Sequence, residues 1–121
     1  LSGAGVFSVN AVRATIAEQD LSKIGNGIPA IVQIHDPSCA MCIELQRETR
    51  KALRAFDDGQ VTYLVANIHS EDGSALAARH RAQHVTLLLF DGAGQVRQVL
   101  EGVRPRDELL AHFEAHIASG S

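Results

Sequence analysis

The two cysteines of this chain, Cys39 and Cys42, enclose two residues and stand where a strand pattern gives way to a helical pattern. Residues 29–35 are mostly apolar and rich in β-branched side chains, which is typical of a buried strand. A polar break at residues 36–38 ends this run, and Ser38 is a suitable N-cap for a helix that begins at Cys39. The sequence therefore predicts a strand end, a tight turn and a helix N-terminus around two thiols.

A cysteine at a helix N-terminus is favoured in its ionised form. Unpaired backbone N–H groups and the positive end of the helix dipole stabilise a thiolate there, which makes Cys39 a candidate nucleophile near neutral pH. Cys42 lies three residues further on the same side of the helix, close enough to form a disulfide with Cys39. A lone CxxC pair beside a βαβ pattern indicates a redox-active dithiol.

Length and composition indicate a single domain over residues 1–121, because a chain of 121 residues with 45% apolar content can bury one core without disulfides. We expect loose ends at residues 1–6 and 118–121. The formal net charge is −3, and one Tyr and four Phe offer few rings for stacking on bases. The sequence therefore argues against nucleic-acid binding.

No apolar run approaches the roughly 20 residues that a transmembrane helix needs, so we expect no membrane span in this chain. We also expect a monomer. Residue 1 is Leu rather than Met, which is compatible with the removal of an export signal or anchor. This start favours an extracytoplasmic, periplasmic location over a cytoplasmic one.

The hydrophobic pattern predicts helices and strands in the order α-β-α-β-α-β-β-α, with a further short strand near Phe7. The continuous apolar run at 61–68 suits a central strand that is covered on both faces. Residues 91–94, Asp-Gly-Ala-Gly, predict a hairpin. The predicted helices are 12–24, 39–56, 71–82 and 105–117, and the predicted strands are 28–35, 61–68, 85–90 and 95–100.

From about residue 28 to residue 117, this sequence resembles the thioredoxin-like family. The resemblance rests on the CxxC pair at a strand-to-helix junction, on the strand and turn at 86–92, and on the order of the elements. It implies an α/β fold in which a central mixed β-sheet is flanked by helices on both faces. It also implies thiol–disulfide exchange in which Cys39 attacks a substrate disulfide and Cys42 resolves the mixed disulfide, with no cofactor besides the redox-active disulfide.

The residues around the cysteines depart from the family pattern. Ser38 replaces the usual Trp before the first cysteine, and Ala40 and Met41 replace the usual Gly-Pro. These departures favour a specialised reductase with few client proteins over a general one. We expect it to act between a protein disulfide substrate and a partner dithiol.

The proton-handling pair of the family is also replaced. Gln33 stands where thioredoxins keep a buried Asp, and Val65 stands where they keep a Lys. Loss of the proton from Cys42 is then left to water, to His35 or to the incoming substrate.

No proline stands at the position of the family's active-site cis-proline, where the sequence is Gln-His-Val-Thr at 83–86. A cis bond before a non-proline residue costs about 2.5–4 kcal/mol, so we predict that the His84–Val85 bond is trans. We expect this loop to bring His84 or Val85 near the sulfurs, with Thr86 also lining the site.

Further candidates for the site are His35 and Met41. His35 either stabilises the Cys39 thiolate or ends its strand in solvent, and Met41 offers an adaptable apolar contact to a partner. An alternative function is a metal-binding module, for Cu(I) or zinc, through Cys39 and Cys42 with His84 as a third ligand. A third interpretation is a non-catalytic adaptor on the same scaffold.

Overall fold

Helices and strands alternate in the computed structural model, which describes residues 15–119. Apart from the N-terminal helix, the bounds differ from the predicted ones by at most three residues. The predicted strand near Phe7 and the predicted loose end at 1–6 lie outside the described residues. No helix within the described range combines the length and the apolar character that crossing a bilayer requires. The strands are β1 (Ala30–His35), β2 (Thr62–Asn67), β3 (Thr86–Phe90) and β4 (Val96–Glu101), and the helices are α1 (Ala40–Leu53), α2 (Glu71–Arg79) and α3 (Arg106–Ala118).

The four strands form one mixed sheet in the order β2-β1-β3-β4. β1 is parallel to β2 and antiparallel to β3, and β3 and β4 form the antiparallel hairpin that residues 91–94 predict. The predicted central position of β2 is wrong for the sheet of the described residues, because β2 lies at its edge. An apolar run indicates that both faces of a strand are covered, but it does not indicate whether the strand has a neighbour on each side.

Helices cover both faces of the sheet, as the resemblance implies. α1 and α3 pack on the face to which Ile31 contributes, in a first core that contains Cys42. α2 and the segment around Leu21 and Ile24 pack on the opposite face, in a second core. Successive residues of β1 alternate between these cores because side chains alternate along a strand. The first core also contains Leu45, Ala52, Val85, Leu87, Leu89, Leu100, Leu109 and Phe113.

The predicted N-terminal helix 12–24 is interrupted at Asp20. Residues 15–18 are helical, and a separate 3-10 helix follows at Leu21–Lys23. The Asp20 carboxylate accepts hydrogen bonds from the backbone N–H and the hydroxyl of Ser22. Such a local side-chain bond competes with a continuous helical hydrogen-bond ladder, which explains the break.

α3 begins after Pro105, as predicted, but its buried face differs from the predicted one. Leu109 and Phe113 are buried together with His116, whereas Ile117 is only partly buried. The imidazole Nε2 of His116 lies 2.8 Å from the carbonyl oxygen of Phe90 and donates to it, so a histidine is tolerated in this face because its polar atom is paired. Ala118, which we expected to be loose, is the last helical residue.

Gly73 in the first turn of α2 lies directly against the end of β2. A methyl group at this position would overlap the backbone of Asn67. Because a backbone cannot move aside as a flexible side chain does, we expect Gly73→Ala to lower the free energy of unfolding by about 1–3 kcal/mol. Ser74→Ala at the next, exposed position should change it by no more than about 0.5 kcal/mol. Urea denaturation of both variants measures the difference, and equal stabilities would contradict the close approach.

Candidate dithiol site

The residue that caps α1 is Cys39, and not Ser38 as predicted. Cys39 has extended backbone angles, and its Sγ accepts a hydrogen bond from the backbone N–H of Cys42 at 3.3 Å. Ser38 instead donates from its N–H and its hydroxyl to Oδ1 of Asp36, at 3.0 and 2.8 Å. Because this local turn occupies Ser38, the next side chain, a sulfur, takes the capping position.

The two thiols are free and lie in different environments. Cys39 is partly exposed, and its pKa is lowered. The main cause is the interaction of its sulfur with the backbone N–H and the thiol of Cys42, and the N–H of Met41 adds to it. Burial and the charge of Asp36 oppose this shift. Cys42 is fully buried, and burial is the main reason why its pKa is raised. The pair therefore consists of an accessible thiol that ionises readily and an enclosed thiol that keeps its proton.

Asp36 organises the turn between β1 and α1, and sequence reasoning missed it. Hydrogen bonds from the backbone and hydroxyl of Ser38 and from His69 lower the pKa of its carboxyl to about 2. His69 Nε2 lies 3.1 Å from Asp36 Oδ1 and joins the end of β2 to this turn. An Asp two residues before a Ser at a strand end is a turn signal that the sequence offered.

The loop before β3 places a different residue near the thiols from the one that a proline-containing loop would place there. No peptide bond in residues 15–119 is cis, so the predicted trans bond between His84 and Val85 is confirmed. Val85 has φ +62°, an unusual conformation for a β-branched residue. It is held there because its N–H donates to the Ile34 carbonyl at 3.0 Å and its carbonyl accepts from the Gly102 N–H at 2.8 Å.

Of the three candidates in this loop, the structure brings Val85 to the dithiol. Val85 is buried in the same core as Cys42, and its backbone amide interacts with the Cys42 sulfur. His84 is exposed and takes part in none of the hydrogen bonds or charge interactions described for the two thiols. Thr86 is buried at the start of β3, opposite Ile34 of β1.

The expected third metal ligand is therefore not in place. Within residues 15–119, no three His, Cys, Asp or Glu side chains form a group that could hold a metal ion, so Cys39, Cys42 and His84 do not form the three-ligand set of the alternative interpretation. The physical reason is the left-handed turn at Val85, which directs the Val85 side chain inward and leaves the residue before it in solvent.

Met41 is exposed beside the cysteines, as expected for a contact residue. Its side chain is 56% exposed, and that of Ile43 is 42% exposed. Neither position belongs to the buried stripe of α1, which consists of Cys42, Leu45, Thr49 and Ala52. The first turn of α1, which Cys39 caps, thus presents apolar side chains to solvent.

Beneath the cysteines lies a buried polar network centred on Gln33. Its Nε2 is 2.8 Å from the carbonyl oxygen of Cys42 and 3.0 Å from Nδ1 of His35. Its Oε1 accepts from the hydroxyl of Tyr63 at 3.0 Å. Gln33 and His35 are two polar residues at i and i+2 of an otherwise apolar strand, and this pattern was the available signal for a shared, buried polar face.

His35 behaves differently from both expected roles. It is only 6% exposed, so it does not end the strand in solvent, and it takes no part in the interactions that lower the Cys39 pKa. Burial lowers the pKa of His35; the nearby charge of Arg50 also lowers it, whereas Asp36 opposes the shift. Burial raises the pKa of Tyr63. The groups around Gln33 are therefore neutral near neutral pH.

Comparison with known proteins identifies the fold. No family model and no curated protein matches the sequence. The solution structure of an uncharacterised thioredoxin-like protein from Clostridium perfringens matches with a TM-score of 0.68 and 20% identity, over 80% of this chain and 77% of that one. Thioredoxin-2, described as a component of the protein secretion machinery of the malaria parasite, matches with a TM-score of 0.64 and 13% identity, over 74% of this chain and 84% of that one. The chain has the thioredoxin-like fold, with a CxxC pair at the start of a helix.

The difference between the thiols predicts selective alkylation of the native protein. We expect iodoacetamide to modify Cys39 first, with a pH midpoint below the value of about 8.5 for a free cysteine. In a Cys39→Ser variant, the remaining thiol should react at least about tenfold more slowly because it is buried. Mass spectrometry of quenched samples measures both rates. A midpoint at the free-cysteine value would contradict the stabilisation of the Cys39 thiolate.

The lowered pKa of His35 predicts that stability decreases in mild acid. The unfolded chain takes up a proton near pH 6.5 and the folded chain does so only at lower pH, so the free energy of unfolding falls as the pH drops below about 6.5. His35→Gln should reduce this loss between about pH 7.5 and about pH 5.5. His84→Gln, at an exposed histidine, serves as the control and should retain the loss. Urea denaturation at the two pH values gives the comparison.

Proposed function

We propose that the protein is a thiol–disulfide oxidoreductase in which Cys39 attacks and Cys42 resolves. The observation that carries this proposal is that Cys39 is partly exposed and caps the helix N-terminus with its sulfur, whereas Cys42 is buried one turn inward, so that hydrogen bonds lower one thiol pKa and burial raises the other. An attacking thiol has to be ionised and accessible, whereas a resolving thiol needs to ionise only after the mixed disulfide has formed. The thioredoxin-like fold supports a redox role of this general kind.

The cycle has two exchange steps. The Cys39 thiolate attacks one sulfur of a substrate disulfide, a Cys39–substrate disulfide forms, and the other substrate sulfur leaves as a thiolate. Cys42 then loses its proton and attacks the Cys39 sulfur, which releases the second substrate thiolate and closes the Cys39–Cys42 disulfide. Two electrons pass from the protein to the substrate, and a partner dithiol returns them in the reverse sequence of exchanges. The cycle that we propose uses no bound cofactor.

The direction that we propose is reduction of a small set of protein disulfides. Exposed Met41 and Ile43 beside the partly exposed Cys39 offer an apolar contact surface to a client. The uncharged Gln33 beneath the site distinguishes this dithiol from one that has a buried acid. Both features support a specialised protein that acts on a protein disulfide, and we propose that it does so as a monomer.

Turnover of a model protein disulfide, with a small dithiol as electron source, tests the proposed function. We expect the native protein to accelerate reduction and Cys39→Ser to return the rate to background, because no attacking thiolate remains. Cys42→Ser should form the mixed disulfide with the substrate but accumulate it, since nothing displaces the second sulfur. Intact-protein mass spectrometry detects that adduct.

Two results would contradict the oxidoreductase. One is a native rate no higher than that of Cys39→Ser. The other is stoichiometric Cu(I) or zinc that survives dialysis of the reduced native protein and is lost when both cysteines are replaced by serine, which would favour the metal-binding alternative. Normal behaviour of the double serine variant in the native setting would favour the adaptor.

The reduction potential of the Cys39–Cys42 pair tests the proposed direction. Proteins of this mechanism range from about −270 mV for reductases to about −120 mV for strong oxidants. We expect a value nearer to the reducing end, measured by equilibration with glutathione buffers and quantification of the oxidised fraction. A value near the oxidising end would reverse the direction and leave the exchange chemistry unchanged.

A further inference from the structure

Gln33 is a fully buried amide with three hydrogen bonds to three different elements. Both hydrogens of Nε2 are used, one on the carbonyl of Cys42 in α1 and one on Nδ1 of His35 in β1. The third bond comes from the Tyr63 hydroxyl in β2. Gln33 therefore ties the first turn of the dithiol helix to the two parallel strands beneath it.

The Cys42 carbonyl determines how the whole network is oriented. A carbonyl oxygen only accepts, so the Gln33 group at 2.8 Å from it has to be the NH₂ and not the amide oxygen. The same NH₂ faces Nδ1 of His35, which makes Nδ1 an acceptor and puts the imidazole proton on Nε2. The amide oxygen is then left for Tyr63, whose hydroxyl donates. Flipping the Gln33 amide would leave the Cys42 carbonyl opposite another acceptor, and a proton on Nδ1 of His35 would face the Gln33 NH₂ with a second donor.

The network also lacks a group that is readily charged. Gln33 has no ionisable proton, and burial disfavours the charged forms of both His35 and Tyr63. The charges that act on these two side chains come from neighbouring segments. They are Asp36 in the turn before α1, Arg50 of α1 and Glu18 of the N-terminal helical segment.

We propose that Gln33 is a positioning residue for the resolving step. Its NH₂ group holds the Cys42 carbonyl and His35 Nδ1 in place, so that the hydrogen-bond network beneath the dithiol has a single orientation and contains no titrating acid. This inference rests on the proposed exchange function. The proton of Cys42 then passes to solvent and to no side chain of the network. The rate of ring closure therefore rises with pH only as Cys42 itself ionises, with no second inflection.

Ellman's reagent separates the two exchange steps. The Cys39 thiolate displaces a first thionitrobenzoate and forms a mixed disulfide, and Cys42 then displaces a second one as the Cys39–Cys42 disulfide closes. The protein loses two electrons and the reagent becomes two thiolates, so stopped-flow absorbance records both steps in one trace. Cys42→Ser identifies the second phase by its loss.

Three variants test Gln33 through the pH profile of the second phase. Gln33→Glu places a carboxylate oxygen opposite the Cys42 carbonyl and His35 Nδ1, so either the carboxyl or the imidazole has to carry a proton, and a new inflection should appear. Gln33→Leu should slow the second phase by about two- to tenfold at every pH, the equivalent of one lost hydrogen bond, and leave the first phase unchanged. Gln98→Glu is the matched control, because Gln98 Nε2 lies 3.0 Å from His112 Nδ1 in a pair outside this network. It should leave both phases unchanged.

The nitrogen chemical shifts of His35 supply a second measurement, which is made on the native protein. We expect a protonated Nε2 and an accepting Nδ1 in the native reduced protein, with His35→Gln used for assignment. A protonated Nδ1, or an inflection between neutral pH and the Cys42 pKa in the native second phase, would overturn the proposal. So would a second phase unchanged in both Gln33 variants. A first phase no faster than that of Cys39→Ser would instead contradict the exchange function itself.

Discussion

The positions of both thiols depend on β1. All six of its residues are buried, and it is hydrogen-bonded to a strand on each side. Such a strand cannot slip by one residue without moving every side chain to the other face of the sheet. The turn that carries Cys39 therefore starts from a rigid point, and the bond between Gln33 Nε2 and the Cys42 carbonyl ties the first turn of α1 back to the same strand.

One helix start supplies two opposite environments for sulfur. The N-terminus of α1 offers backbone N–H groups to the Cys39 sulfur. Three residues later, Cys42 lies on the buried face of the same helix, which packs against the sheet. Hydrogen bonding to the anion lowers one pKa and desolvation raises the other. Asp36 works against the first effect by its charge, yet its side chain also builds the turn that delivers Cys39 to the capping position.

Val85 shows how this chain shapes the loop beside the dithiol without a proline. Its left-handed backbone costs about 1–3 kcal/mol, and hydrogen bonds to Ile34 and Gly102 hold it in place. A proline could not adopt this φ and has no N–H to donate. The loop therefore keeps a backbone hydrogen bond to β1, through Ile34, that a proline would remove.

The sequence by itself determined the order of the elements, the mixed sheet with helices on both faces, and the pairing of two thiols at a helix start. The order of the elements follows from apolar periodicity and from turn residues, which act over short distances along the chain, whereas the mixed sheet with helices on both faces is what the family resemblance implies. It also indicated the trans bond before Val85, because the cost of a cis bond is a local property. The break at Asp20 and the cap at Cys39 were missed, since in both places a side chain bonds to a neighbouring residue in competition with the expected helix.

Only the tertiary structure decided what surrounds the thiols. Sequence spacing did not reveal that His35 is enclosed, that His84 stays in solvent, or that Tyr63 and the Cys42 carbonyl meet on the amide of Gln33. These contacts join β1, β2 and α1, and burial and hydrogen-bond direction exist only once those elements pack together. The sequence predicted which residues lie at the dithiol, whereas the protonation states of these residues depend on partners that are distant along the chain.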